Sequence, residues 1–424
     1  MLETVKGWLQ AVDGFREAWG AFRRWQLHRD YETRREHYAR LAQEAGVVYR
    51  EAEVIAGIRE RLAKRGYTPR KCQGGGIHTF AFVPDLGWHR HLLPDLRELG
   101  PVTLFDYVPL GFRVEHFQRG DRNGLTCRQV MNDMMLAALR EAHARRSVDW
   151  IFVYASGVEI SAGTIRRMIE ELGIPTVNMC LDDKHSWTGS WMGDHHAGQR
   201  DIAPVFDVSW TSARVACEWY LMEGARPIYM PEGFDLSTYR PLPVIQDIPV
   251  SFIGGAYGYR PSVVRYLEKH GVHIQCFGRG WGTHFISADE QVNVINRSQV
   301  NLGMGGIAYS ESLTSVKARD FEVPGTGGGV YLTSFNPDLA QHFVIGEEIL
   351  CYRSRDEMLE LIRHYLARPE VARAVAKRGR ERCVREHRWL HRYERLVQIL
   401  GILGDDGRNK ESVANDKRDM YAAR

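Results

Sequence analysis

From residue 77 to about residue 402, short apolar runs alternate with stretches of helical periodicity, and this alternation restricts the fold more than any other feature. IHTFAFV (77–83), VTLFDYV (102–108), WIFVYAS (150–156), PTVNMCL (175–181) and VFDVSWT (205–211) predict strands buried on both faces. Segments such as RQVMNDMMLAALREAHARR between them have helical periodicity. Strand–helix–strand order of this kind gives a parallel sheet covered on both sides. A second series, VSFIGG, HIQCFGRG, VNLGMGG, GVYLTSF and EILCY, follows PEGFDLSTYRPLPVIQDIP (231–249), whose four prolines and weak periodicity mark a connector. The expected architecture is therefore α/β, two Rossmann-like doubly wound domains over residues 71–240 and 241–403. A chain of 424 residues is long enough for two such cores.

Residues 1–70 read differently. Val5, Trp8, Val12, Phe15, Trp19 and Phe22 recur at spacings of three and four, and Tyr38, Leu41, Ala45, Val48, Ala52 and Ile55 form a similar stripe. A helical hairpin or coiled coil is expected, packing on the body of the protein, on a second copy or on a partner. Arg23, Arg24 and Arg29 among the aromatics leave an in-plane membrane helix as the alternative. The stretch 404–424 is polar and glycine-interrupted and is expected to remain disordered.

Composition narrows the function classes. The formal charge of +3 gives no general attraction to nucleic acid, so any basic site must be local. The seven cysteines, at 72, 127, 180, 217, 276, 351 and 383, form no CxxC pair and lack zinc-ligand spacing; reduced thiols in a cytoplasmic protein are expected. Charged residues break up the first twenty positions, and no run reaches the roughly 20 apolar residues of a membrane span.

In parallel α/β sheets, ligands sit beyond the carboxyl ends of the strands. There the second series offers Gly254 and Gly255 with Arg260 opening the next helix, Gly278 in CFGRGW, and Gly305 and Gly306 in NLGMGG. Glycines let a backbone approach a ligand closely, and an arginine grips phosphate oxygens. Any one of these is equally a plain turn; three in one domain favour a shared ligand. SVKARDFEVPGTGGG (315–329) adds Lys317, Arg319 and Glu322 ahead of a glycine cluster that includes Gly327. Thr314 or Ser315 is expected to cap a helix that holds Lys317 and Arg319 and ends near Val323–Pro324. Its start would favour an anion, and Glu322 in its last turn would oppose the helix dipole, a cost to be offset by accepting two hydrogen bonds from a vicinal diol such as a ribose. The alternative pairs Arg319 with Glu322 as i, i+3 neighbours.

The K-x-R-x-F-E pattern and its Gly-rich turn, with EEILCYRSRDEMLELIRHYLARPEVARAVAKRGRERC following, resemble the C-terminal half of CgeB-type (spore-maturation-like) glycosyltransferases, over about residues 250–395. The resemblance implies a GT-B fold and transfer of a sugar from a nucleotide-diphosphate sugar, UDP by default with TDP and GDP open. The acceptor would be a glycan, a lipid-linked sugar, a small molecule or a protein. It also implies that Glu322 holds the ribose, that Lys317 and Arg319 face the diphosphate opposite Gly254, Gly255 and Arg260, and that no metal or other cofactor is needed. Related retaining enzymes carry a second, sugar-contacting glutamate eight residues before the ribose one; Thr314 stands there, leaving the stereochemical outcome open. A sugar-nucleotide epimerase of the same fold and a catalytically silent scaffolding relative are the competing readings.

Catalytic groups are expected from the first domain. FVPDLGWHR offers Asp85 and His89, and CLDDKHSW offers Asp182, Asp183 and His185, as a base for the acceptor hydroxyl or as a carboxylate that steadies the sugar; helix capping is the structural alternative. GDHHAGQRD (193–201) has adjacent histidines but no metal-ligand spacing and is expected to be an exposed loop.

Overall fold

The computed structural model describes residues 13–68, 70–71, 75–119, 121–282, 286–307 and 309–403. Val5, Trp8, Val12, Cys72 and the tail 404–424 lie outside them. The strands in chain order are β1 (Arg70–Lys71), β2 (Thr79–Phe82), β3 (Val102–Phe105), β4 (Trp150–Val153), β5 (Thr176–Cys180), β6 (Val208–Thr211), β7 (Pro227–Tyr229), β8 (Ile248–Ile253), β9 (Gln275–Phe277), β10 (Ser298–Leu302), β11 (Val330–Ser334), β12 (Leu350–Tyr352) and β13 (Ile402–Leu403).

Two main sheets form, each parallel throughout, beside a two-stranded parallel pair of β1 and β13. The first has the order β3-β2-β4-β5-β6-β7 and the second β12-β11-β10-β8-β9. β2, β4, β5 and β6 are buried at every position, as their unbroken apolar runs require. β7 escapes a sequence reading because PIY is too short to stand out from the connector that follows it.

The N-terminal segment is a hairpin of helices Asp13–Ala45 and Glu51–Lys64, broken at Gly46, and it packs on the body. Its buried face differs from the predicted stripe: Tyr31, Tyr38 and Ala42 are covered, while Val48 is 58% exposed. Tyr38 decides this register. Its ring stacks on Trp219 at 5.7 Å, and its hydroxyl accepts from Trp187 Nε1 at 2.9 Å. Val54, Ile58 and Leu62 of the second helix join the main core of the first domain. Phe22 and Trp25, further out on the first helix, are exposed. Among the described residues no helix is long and apolar enough to cross a membrane, and all six described cysteines are free.

The chain crosses between domains twice. After helix Pro369–Glu386 of the second domain, helix Trp389–Leu400 returns to the first and packs on helix His89–Leu99, and β13 then pairs with β1. Trp389, Tyr393, Leu396 and Leu400 recur at helical spacing on its buried face. Burying each such side chain contributes about 1.5–3 kcal/mol. Tyr393 donates to Leu92 O at 3.1 Å and Arg388 pairs with Asp95 at 2.7 Å, so helix His89–Leu99 is anchored to the end of the second domain. That anchoring holds one wall of the cleft in place.

Candidate active site

The carboxyl ends of β8 and β10, the loop after β9 and the helix Arg319–Thr326 face the end of β5 and helix His89–Leu99 across a cavity of about 530 Å³. Asp182, Gly254, Gly255, Arg260, Gly278, Gly305, Gly306, Lys317, Arg319 and Glu322 all line it.

The glycine turns fit tightly. A Cβ on Gly278, whose φ is 130°, would stand 2.8 Å from Gly254 O, so the loops after β8 and β9 close on each other only because Gly278 lacks one. The amides of Gly305 and Gly306 are engaged, donating to Ser334 Oγ at 2.9 Å and Tyr259 OH at 3.0 Å. They shape the cleft floor rather than present free N–H groups. Arg260 is 4% exposed and ties the turns together, donating to Gly255 O at 3.2 Å and Met304 O at 3.4 Å. Its guanidinium lies 4.1 Å from the Tyr257 ring centroid, and its buried Nε has no partner among the described residues. Burial and the neighbouring Arg319 lower its pKa. Among the described residues neither Arg260 nor Arg319 has a carboxylate within ion-pair distance. Two guanidiniums facing one cleft without an ion-pair partner among the described residues make a strong site for an anion.

The helix in KARDFE is shorter at its start and longer at its end than expected. It spans Arg319–Thr326, Ala318 is its N-cap, Lys317 precedes it, and Pro324 lies inside it. Asp320 organises that start by accepting from Lys317 N at 2.8 Å and from Tyr331 OH at 2.7 Å. Pro324 costs one backbone bond without ending the helix; Thr326 Oγ1 donates to Glu322 O at 2.7 Å and Gly327, at φ 72°, terminates it. Gly327 thus abuts Arg380 and lies away from the cleft. Glu322 consequently stands in the first turn, where the dipole favours a carboxylate, so the predicted penalty does not arise. Its partner is not Arg319. Glu322 Oε1 lies 3.0 Å from Nδ1 of His91, an ion-pair distance without hydrogen-bond alignment, and its side chain is 13% exposed.

Lys317 points across the cleft. Its Nζ donates to Asp182 Oδ1 at 2.7 Å and Leu181 O at 3.3 Å, joining the second domain to the end of β5. Burial pushes the Asp182 carboxyl up, but Lys317 and His185 outweigh it and the net pKa is lowered. Burial likewise opposes the charge on Lys317, yet Asp182 and Glu232 raise its pKa overall.

The other first-domain candidates fall elsewhere. Asp183 is fully buried beneath the cleft, accepting from Thr211 Oγ1 at 2.5 Å and Tyr220 OH at 2.7 Å, with burial pushing its pKa up to about 6. It holds β5 to β6. His185 lies 3.8 Å from Asp182 and does not line the cavity. Asp85 and His89 gather with Asp106 outside it, His89 donating from Nε2 to Val83 O at 2.7 Å. The loop 193–201 is pinned rather than free: His195 is 7% exposed, with Nε2 2.6 Å from Gly157 O and Nδ1 2.7 Å from Asp194.

Among the cleft residues not singled out in the sequence are His91, Arg90, Tyr239 and Glu232. His91 and Arg90 follow His89 on the same helix, and Arg90 Nε donates to His91 Nε2 at 3.2 Å. Tyr239 stacks on His91 at 6.2 Å; burial and Glu322 raise its pKa. Glu232, in the connector, is 2% exposed and accepts from Ala318 N at 2.7 Å. Burial pushes its pKa up to about 8, with Asp182 and Glu322 adding to the rise and Lys317 opposing it. Only the WHRH doublet hinted at His91, and nothing local distinguishes Glu232 from a connector residue.

Residues 260–398 match the family described as glycosyl transferase-like, so the chain carries a glycosyltransferase-like segment in its second domain. No curated protein sequence matches the chain. Among solved structures, sucrose-phosphate synthase of Thermosynechococcus elongatus superposes with a TM-score of 0.50 at 11% identity, covering 76% of this chain and 99% of that one. HepE of Anabaena, solved with UDP and glucose, gives 0.50 at 10% identity over the same shares. The UDP-forming trehalose-phosphate synthase of Burkholderia vietnamiensis gives 0.50 at 12%, again over 76% and 99%. The fold is GT-B.

Proposed function

We propose that this protein is a glycosyltransferase that moves a sugar from a nucleotide-diphosphate sugar, UDP-linked by default, to an acceptor hydroxyl, and that it is of the CgeB type. The observation that carries the reading is the arrangement of Arg260 and Arg319, cations without a carboxylate partner among the described residues, beside Glu322 in one interdomain cleft. The complex of HepE with UDP and glucose, and the UDP-forming trehalose-phosphate synthase, support this donor class in the same fold.

Under this reading the guanidiniums take the diphosphate and Glu322 takes the ribose hydroxyls in place of His91. The acceptor oxygen attacks the anomeric carbon, the bond from that carbon to the phosphate oxygen breaks, and its electron pair leaves on the diphosphate. Arg260 and Arg319 stabilise that charge as it develops, so the reaction proceeds without a divalent metal. Asp182 faces the positive character of the sugar as a fixed carboxylate. Against burial, its pKa is lowered by Lys317 and His185, so it is a weak base, and the phosphate oxygen freed as the glycosidic bond breaks takes the proton of the attacking hydroxyl.

The test is binding followed by turnover. UDP should bind in calorimetry, and Glu322→Ala should weaken it by about 1–3 kcal/mol, the loss of charged hydrogen bonds. Release of UDP from a UDP-sugar should depend on an added acceptor; release or isomerisation without one favours the epimerase reading. UDP affinity unaffected by Glu322→Ala contradicts the ribose assignment.

A further inference from the structure

Glu232 is buried beyond what a connector residue needs, and only half of its carboxyl is used. Oε2 accepts from Ala318 N at 2.7 Å, whereas Oε1 has no hydrogen-bond partner among the described residues and the side chain lines the cleft. That oxygen opens to the cleft rather than being sealed inside the protein, so its bonding capacity is available to a ligand. We infer that Glu232 contacts the transferred sugar, its free carboxyl oxygen pairing with a hydroxyl of the donor hexose and so setting which sugar the cleft accepts. This rests on the nucleotide-sugar reading above.

Position picks the sugar over the rest of the donor. Ala318, which fixes one oxygen, immediately precedes Arg319 on the diphosphate side, and Lys317 on the other flank reaches Asp182 of the opposite domain. Glu232 is thus tied to the segment that carries Arg319 and lines the same cavity as Lys317 and Asp182, which under this reading is the side of the cleft left for the sugar. Thr314 has no carboxylate to offer, and its carbonyl already accepts from Lys184 Nζ at 2.8 Å.

Charge agrees with this placement. The groups facing Glu232 include Lys317, Asp182, Glu322 and the buried Tyr154, with Arg392 Nη2 3.4 Å from its backbone carbonyl. Lys317 is claimed by Asp182, and the carboxyl of Glu232 is held protonated at neutral pH by burial, its pKa pushed up to about 8. A neutral carboxyl does not repel the incoming diphosphate. It donates through its O–H and accepts through its C=O, which suits the hydroxyls of a sugar.

The test titrates UDP, UDP-glucose, UDP-galactose and UDP-N-acetylglucosamine into the full chain at about pH 7. The wild type should separate the best from the worst of the three sugars by about tenfold or more, the discrimination expected of one buried polar contact. Glu232→Ala should compress that spread to within about threefold and leave UDP affinity within about threefold. Glu232→Gln, which keeps the size and a neutral donor, should retain part of the spread and hold it at about pH 9, where the wild type loses it on ionising. A wild type that binds the three sugars equally, or a Glu232→Ala variant with the spread intact, overturns the assignment. Failure of UDP itself to bind the wild type would instead remove the nucleotide-sugar reading on which it rests. Thermal unfolding of both variants separates loss of the contact from loss of the fold.

Discussion

Replacing Arg319 by Met should move ligand affinity and ligand-free stability in opposite directions. The guanidinium of Arg319 lies 5.9 Å from the Phe252 ring centroid and that of Arg260 lies 5.4 Å from the same centroid, so the two cations are at most ~11 Å apart. At that separation their repulsion is about 0.4 kcal/mol in water and about 1.5 kcal/mol at an effective dielectric near ~20. Met keeps the apolar stem and removes the charge, so the free protein should gain roughly that amount, a rise in Tm of about 1–4 °C for a domain of this size. The same change deletes charged hydrogen bonds to the diphosphate, about 1.5–3 kcal/mol, weakening UDP by about 10- to 150-fold. Differential scanning calorimetry and titration calorimetry on one preparation measure both. A lower Tm in the variant, or an unchanged UDP affinity, would refute the reasoning, because it would mean that Arg319 is satisfied within the protein.

Two further outcomes follow from the groups around it. In a double-mutant cycle, Lys317→Met and Asp182→Asn should couple by about 1 kcal/mol in urea unfolding, a moderate value because the side chains are 29% and 44% exposed; additive effects would mean that the pair does not hold the domains together. Glu232→Gln should flatten the pH dependence of stability. The folded pKa of Glu232, about 8, lies above the ordinary 4.5, so the unfolded chain releases the proton first. Stability is therefore lost as pH rises from about 4.5 to 8, by about 3 kcal/mol at pH 7 for a wild type compared with the variant. Parallel unfolding curves for the two proteins at pH 5 and pH 8 would mean that the carboxyl is not protonated in the folded state.

The fold was legible because its signal is a property of whole segments. Strands buried on both faces must be apolar throughout, and β2, β4, β5 and β6 carry that mark without reference to anything distant. The second-domain lining of the candidate cleft was legible for a related reason: Gly254, Gly255, Gly278, Gly305, Gly306, Arg260, Lys317, Arg319 and Glu322 all sit at strand ends or helix starts that local sequence locates. What local sequence does not determine is aim. Lys317 turns toward Asp182 because the first domain puts a carboxylate opposite it, and Glu322 faces His91 because helix Trp389–Leu400 anchors helix His89–Leu99 across the cleft. His89 and His91 are two residues apart on one helix, about 200° round its axis, so one bonds Val83 O while the other reaches the site. Glu232 depends on a crossing between domains that leaves no periodic trace. The helix in KARDFE was bounded at Pro324 by a rule that governs long helices better than an eight-residue one closed by Gly327.

A crystal structure of the protein with UDP tests the central claim most directly. The account predicts diphosphate oxygens within hydrogen-bond reach of the Arg260 and Arg319 guanidiniums and ribose hydroxyls on Glu322, with His91 displaced from Oε1. UDP bound away from this cleft, or bound in it with Glu322 still held by His91 and the guanidiniums empty of phosphate, would contradict it.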